Sequence, residues 1–113
     1  MKKKEIRARC WIEIDGIKHF GPGPAELLDL VHESGSISNA AGAMGMSYKK
    51  AWEIVSRMNS RGQRPYVILR KGGKRGGGAE LTATGKKVLQ SFKKLNRKVQ
   101  SVIRKETEIL LWI

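Results

Sequence analysis

Cysteine, histidine and acidic residues are scarce in this sequence of 113 residues. It contains one cysteine, Cys10, and two histidines, His19 and His32. One cysteine cannot form an internal disulfide, and these residues do not cluster with the spacing of a metal site. The sequence also shows neither paired carboxylates nor an activated nucleophile. We therefore expect no metal, no cofactor and no enzymatic activity.

Long apolar runs are also missing. No stretch approaches the roughly 18 apolar residues that a membrane-spanning helix needs. The basic start, Met1 to Lys4, is followed by Glu5 and alternating residues instead of the apolar segment of a signal peptide. The sequence therefore predicts a cytoplasmic protein with no membrane partner.

The charge is strongly unbalanced. Lys and Arg number 23 against 10 Asp and Glu, which gives a formal net charge of +13. Such a balance implies an acidic partner, and nucleic acid is the commonest one. The length allows one domain, or one domain with an appendage.

The stretch from Ser36 to Asn59 contains two short helical patterns joined by a turn at Gly45. Ala41 provides a small contact where two helices cross closely, and Gly45 tolerates the positive φ of a tight turn. This spacing predicts a helix-turn-helix whose second helix begins near Ser47.

The second helix has an exposed face with the chemistry of DNA recognition. Its N-terminal residues, Ser47, Tyr48 and Lys49, would meet base edges in a major groove. Ser47 could instead serve only as a helix cap. Lys50 and Arg57 would meet phosphates, or simply solvate the helix.

A glycine-rich basic segment follows the second helix. The apolar run Tyr66 to Leu69 and the stretch Ala79 to Thr82 are predicted to be strands on either side of it. Lys74 and Arg75 lie at its tip, where they could displace counterions from a phosphate backbone. This pattern predicts a β-wing, and the alternative is a disordered basic loop without a set target.

The N-terminal region favours a hairpin and a first core helix. Glu5 to Ile14 alternates with a period of two, which predicts a half-buried strand. Asp15-Gly16 suits a type I′ turn into a returning strand, Ile17 to Phe20. Ala25 to Glu33 follows as an amphipathic helix, so the fold class is mainly α with small β.

The C-terminal stretch predicts a dimerisation helix. Apolar residues step by four and three along it, at Val88, Phe92, Leu95, Val99 and Val102, and resume at Ile109 and Ile113. In a monomer, this apolar seam on a long helix would be exposed to water, so we expect a homodimer. We place the domain boundaries at 1–82 for a winged helix-turn-helix, including the hairpin 1–22, and at 83–113 for the helix.

Taken together, these motifs resemble one family, the ModE-type molybdate-responsive transcriptional regulators, over about residues 7–95. They are Gly35-Ser36-Ile37-Ser38, Ala40-Ala41, Met44 to Lys49, Ala51-Trp52, Gly72-Gly73, Gly76 to Ala79, Leu81-Thr82 and Gly85. The resemblance is to the N-terminal DNA-binding domain, a winged helix-turn-helix dimer that is more distantly similar to the LysR-type domain.

The resemblance implies DNA contacts at Ser47, Tyr48, Lys49, Lys74 and Arg75. It implies nothing about molybdate, since family members sense it through C-terminal domains for which this sequence has no room. We expect a regulator that binds specific double-stranded DNA as a homodimer, with two recognition helices about 34 Å apart. The alternative is a non-specific architectural protein. Control by a separate sensor protein is one of several open routes.

Overall fold

The computed structural model describes residues 2–70 and 78–113 and confirms a mainly α fold with small β. The elements are β1 (Ile12–Ile14), β2 (Ile17–Phe20), α1 (Pro22–Ser34), α2 (Ile37–Ala43), α3 (Tyr48–Arg61), β3 (Val67–Arg70), β4 (Gly78–Leu81), α4 (Ala83–Lys105) and a final 3-10 turn (Glu108–Leu111). The strands form two separate antiparallel pairs, β1 with β2 and β3 with β4.

The core lies between α1, α2, α3 and the beginning of α4. Its largest fully buried side chains come from α1 and α3, namely Leu27, Leu28, Val31, Val55 and Met58. Phe20 from β2 packs edge-to-face on Phe92 from α4, with ring centroids 5.3 Å apart. The β1–β2 hairpin and α4 are thereby tied to the same core.

The predicted N-terminal hairpin is present, but its first strand is shorter than expected. Asp15 (φ 51°) and Gly16 (φ 78°) form the turn, with the two positive φ values of a type I′ turn. The prediction of a strand over Glu5 to Ile14 is wrong before Ile12, because no described strand lies beside that segment. It runs along α4 instead, where Gln100 Nε2 donates to the Ala8 carbonyl at 3.0 Å.

The first helix begins earlier than its sequence pattern indicated. α1 starts at Pro22, three residues before the predicted Ala25, because proline at the first helical position lacks only an N–H that would have no intrahelical partner. It ends at Gly35, which adopts the left-handed conformation with φ 69°. The helix therefore has one more turn than expected at its N-terminus.

Part of the predicted apolar seam of α4 packs against the core of the same chain. Phe92 is buried and Val88 packs against the core, whereas Leu95 and Val102 are exposed. The helix ends at Lys105, because Glu106 leaves helical geometry (φ −94°, ψ 71°), and only a 3-10 turn follows. The prediction of a helix over residues 83–113 is therefore wrong after Lys105, and Ile109 and Ile113, where the apolar spacing resumes, lie beyond α4.

Candidate nucleic-acid interface

The junction between α2 and α3 is a tight, locally determined turn. Ser36 caps α2 by accepting the Asn39 N–H at 3.0 Å. Gly45 takes φ 68°, and the Met46 N–H then donates to the Ala41 carbonyl at 3.0 Å. Ala41 is buried where the helices cross. This unit fixes the direction in which α3 leaves the turn.

The first turn of α3 projects its side chains into solvent. The Ser47 hydroxyl accepts the Lys50 N–H at 3.1 Å, so Ser47 is the N-cap that one of its two interpretations required. Tyr48 is 53% exposed and Lys49 is also exposed. Ala51, Val55 and Met58 turn inward and hold the helix on the core. Ser47, Tyr48 and Lys49 thus form one accessible cluster.

Lys50 and Arg57 lie on a different flank of α3. Both line a cleft between this helix and the β1–β2 hairpin, together with Arg61 one turn further on. The structure therefore separates the five predicted residues of α3 into two groups. One group is at the exposed tip, and the other faces the hairpin.

The β3–β4 pair, which we call the wing, follows α3 in the predicted order. Its strands pair antiparallel from Val67 opposite Leu81 to Arg70 opposite Gly78. Arg70 and Glu80 form a cross-strand ion pair with an N–O distance of 2.6 Å. The predicted contact residues Lys74 and Arg75 lie outside the described residues.

Three further residues lie near this surface, and Asn59 and Arg61 were not predicted as part of it. Asn59 joins α3 to the wing through its side-chain amide. Trp52 is 37% exposed on α3. Arg61 adds a third α3 cation to the cleft. Helical spacing could have placed Arg61 beside Arg57, but the contacts of Asn59 depend on tertiary packing.

The described residues contain neither a cluster of metal ligands nor a membrane-spanning helix. Within 2–70 and 78–113, His, Cys, Asp and Glu side chains do not gather in threes that could hold a metal ion. In the same ranges, every helix is too short or too polar to cross a membrane.

Comparison with known proteins gives the chain its relatives, although no family model matches it. It is 34% identical over 110 residues to the molybdenum transport protein ModE of Azotobacter vinelandii, a match that covers 97% of this chain and 41% of that protein. This chain is a relative of ModE. The DNA-binding transcriptional dual regulator ModE of Escherichia coli is 41% identical over 71 residues, which cover 63% of this chain and 27% of that protein.

A third relative carries a different name. The molybdenum-pterin-binding protein MopB of Rhodobacter capsulatus is 42% identical over 73 residues, 65% of this chain and 27% of that protein. The chain thus spans less than half the length of these curated relatives, ModE included. The relationship confirms the resemblance to ModE-type regulators that the sequence motifs predicted.

Proposed function

We propose that the protein is a sequence-specific, DNA-binding transcriptional regulator that acts as a homodimer. The observation that carries this proposal is the solvent-exposed first turn of α3, braced by α2, in a chain related to transcriptional regulators. The net charge of +13 supports the same partner. A non-specific architectural role is the alternative that the charge alone would favour.

Base recognition is assigned to the tip of α3. A B-DNA major groove is about 12 Å wide and admits one helix, and helices of this motif enter it with their N-terminal residues first. Tyr48 and Lys49 are exposed there, and in this proposal both would reach base edges. Ser47 keeps its O–H as a donor while its oxygen accepts the Lys50 N–H.

The general affinity for DNA is assigned to contacts with its phosphate backbone. Lys50 and Arg57, on the hairpin flank of α3, would meet phosphates at one side of the groove. Lys74 and Arg75 of the wing segment would meet the backbone or the minor groove. Contacts of this kind add affinity for any sequence and make it dependent on salt.

The dimer is assigned to the outer face of α4 and the residues beyond it. The large apolar side chains exposed there are Leu95, Val102, Ile109, Leu111, Trp112 and Ile113. A second copy related by a twofold axis would cover the same patch on both chains. The chain measures 60 Å along its longest axis, and the projecting α4 would keep the two α3 helices apart.

The decisive experiment compares a selected duplex with a scrambled one. Duplexes are enriched from a random library by the purified protein, and fluorescence anisotropy then measures both affinities at one fixed salt concentration. A specific regulator prefers its site by about a thousandfold or more. Equal affinities would replace this proposal with the architectural one.

Two variants test whether α3 is responsible for the preference for the selected duplex. The double variant Tyr48→Ala/Lys49→Ala should lose most of the preference for the selected duplex, because both side chains would contact bases. Arg97→Ala removes one charge from an exposed position of α4 and should keep the preference. If the double variant discriminates as well as Arg97→Ala does, then α3 does not read bases.

A further inference from the structure

A cleft of about 280 Å³ opens between the β1–β2 hairpin and the flank of α3. We call it the hairpin cleft. Its lining comes from the segment before β1, from β2, from the start of α1 and from α3. The basic residues of its lining are Arg9, Lys18, Lys50, Arg57 and Arg61.

The charge of the hairpin cleft is of one sign. Five cations converge on it from three segments of the chain, and no aspartate or glutamate belongs to the lining. Among the described residues, none of these cations lies within 4.0 Å of a carboxylate oxygen. The cleft therefore brings together five cations that form no ion pair among the described residues, and Glu13, opposite Lys18 on the hairpin, is the acidic residue beside it.

The titration of His19, also in the lining, agrees with this charge. Partial burial lowers the pKa of His19, and the positive charge of Arg61 lowers it further. The His19 Nε2 lies 2.8 Å from the Tyr66 hydroxyl, so one of these two groups donates to the other. The contribution of Arg61 reflects the positive charge on this side of the cleft, whereas burial is the larger cause of the lowered pKa.

The floor and one wall are apolar. Phe20 and Met58 are buried beneath the opening, and Ile54 packs against the core beside them. Trp11 forms the wall, with the Lys18 ammonium 4.4 Å from its ring centroid and Glu13 accepting its indole N–H at 2.8 Å. A ligand seated here would meet carbon surface below its charged group.

We propose that the hairpin cleft binds a small organic phosphate, such as a phosphorylated sugar. The phosphate would lie among the Arg and Lys side chains, since guanidinium groups bind phosphate oxygens in pairs. The carbon skeleton would rest on Trp11, Phe20 and Ile54. The volume is close to the lower end of the range for small-molecule pockets, roughly 300–1,000 Å³. A DNA duplex could reach the rim but not this floor.

Binding would also oppose DNA binding, a consequence that rests on the proposed function. Lys50 and Arg57 line the cleft and are also the α3 residues assigned to DNA phosphates. A ligand that neutralises them removes charge from the duplex interface. Linkage then requires DNA to weaken ligand binding by the same factor.

The test follows the indole N–H signals of the three tryptophans by NMR, without DNA and at constant ionic strength. The Trp11 signal is assigned from a Trp11→Phe variant. Ribose 5-phosphate is titrated into the protein, with unphosphorylated ribose and inorganic phosphate as comparisons. We expect saturable movement of the Trp11 signal with ribose 5-phosphate, weaker binding of inorganic phosphate and no response to ribose.

A matched pair of variants locates the site. Arg61→Ala should weaken ribose 5-phosphate binding about tenfold, the usual effect of losing a charged hydrogen bond. Arg97→Ala, an equal loss of charge on α4, should leave it unchanged. Equal weakening by both variants would show diffuse charge attraction and overturn the proposal.

A final titration, with a DNA duplex in place of ribose 5-phosphate, separates this inference from the function proposed above. If ribose 5-phosphate moves the Trp11 signal, the site stands whether or not the protein reads DNA. If a duplex moves that signal and ribose 5-phosphate does not, the cleft belongs to the DNA backbone interface and the inference is wrong. No movement with ribose 5-phosphate up to millimolar concentration overturns it equally.

Discussion

Asn59, near the end of α3, holds the backbone of Tyr66 where the wing begins. Its side-chain oxygen accepts the Tyr66 N–H at 2.8 Å and the Val67 N–H at 3.2 Å, and its amide donates to the Val67 carbonyl at 2.9 Å. One partly buried side chain thus satisfies three backbone groups. The position of the wing relative to α3 depends on it.

Asn59→Ala should therefore destabilise the protein by about 1–3 kcal/mol, because it leaves backbone groups without partners in a partly buried place. Urea unfolding measures the free energy. Asn39→Ala, at an exposed position of α2, is the control and should change it by less than about 0.5 kcal/mol. Similar effects of the two changes would mean that the Asn59 contacts add little stability.

Gly85 brings α4 close to the backbone of Tyr66, the residue just before the wing. A Cβ at this position would overlap the carbonyl oxygen of Tyr66 and would lie 3.1 Å from its Cα. Because backbone atoms cannot easily move aside, Gly85→Ala should destabilise the fold by about 1–3 kcal/mol despite alanine's better helix propensity.

Gly42 in α2 provides the matched comparison for that change. Nothing lies within 4 Å of a Cβ built there. Gly42→Ala should stabilise the protein by about 0.5–1 kcal/mol, through helix propensity alone. Thermal unfolding of both variants checks the pair, and a stabilising Gly85→Ala would contradict the close approach of α4 to Tyr66.

Features set by neighbouring residues were predictable from the sequence. Gly45 and the cap at Ser47 follow from local backbone chemistry, so the helix-turn-helix could be located from residue types alone. The Asp15-Gly16 turn is a feature of the same kind. In each case the decisive contact spans only a few residues.

Features set by tertiary packing were not predictable. The alternation from Glu5 onward is equally suited to a strand and to an extended segment lying on α4, since both bury every second side chain. Lys50 and Tyr48 are close in sequence, but only the placement of the hairpin assigns Lys50 to a cleft. The heptad spacing could not show that Phe92 faces the chain's own core.

The pH dependence of stability should include a contribution from His19. Its pKa in the folded protein is lowered, chiefly by burial, so the unfolded chain takes up the proton first as the pH falls. Stability is therefore complete above the unfolded pKa, about 6.5, and declines below it until the folded protein is also protonated. Urea unfolding between pH 5 and 8 should show that the free energy of unfolding falls more steeply toward low pH for the parent protein than for His19→Gln. Parallel curves would contradict the assignment.

Val102 offers the sharpest test of the proposed dimer. Its side chain is 57% exposed in the single chain, so Val102→Glu should change the stability of the isolated fold by less than about 0.5 kcal/mol. In a twofold dimer through α4, the change would bring two carboxylates into an apolar contact. Sedimentation equilibrium should then show a dimer for the parent protein and a monomer for Val102→Glu.

Gln90→Glu is the control for that experiment, because it adds the same charge at an exposed position two residues beyond Val88 and so on the far side of α4 from the seam. It should remain dimeric. If Val102→Glu also stays dimeric, the two chains must meet elsewhere, and the exposed hairpin residues Ile14 and Ile17 become the next surface to change. If the parent protein is monomeric at high concentration, a paired approach to successive major grooves is excluded for this chain, and recognition would have to come from one α3 and one wing.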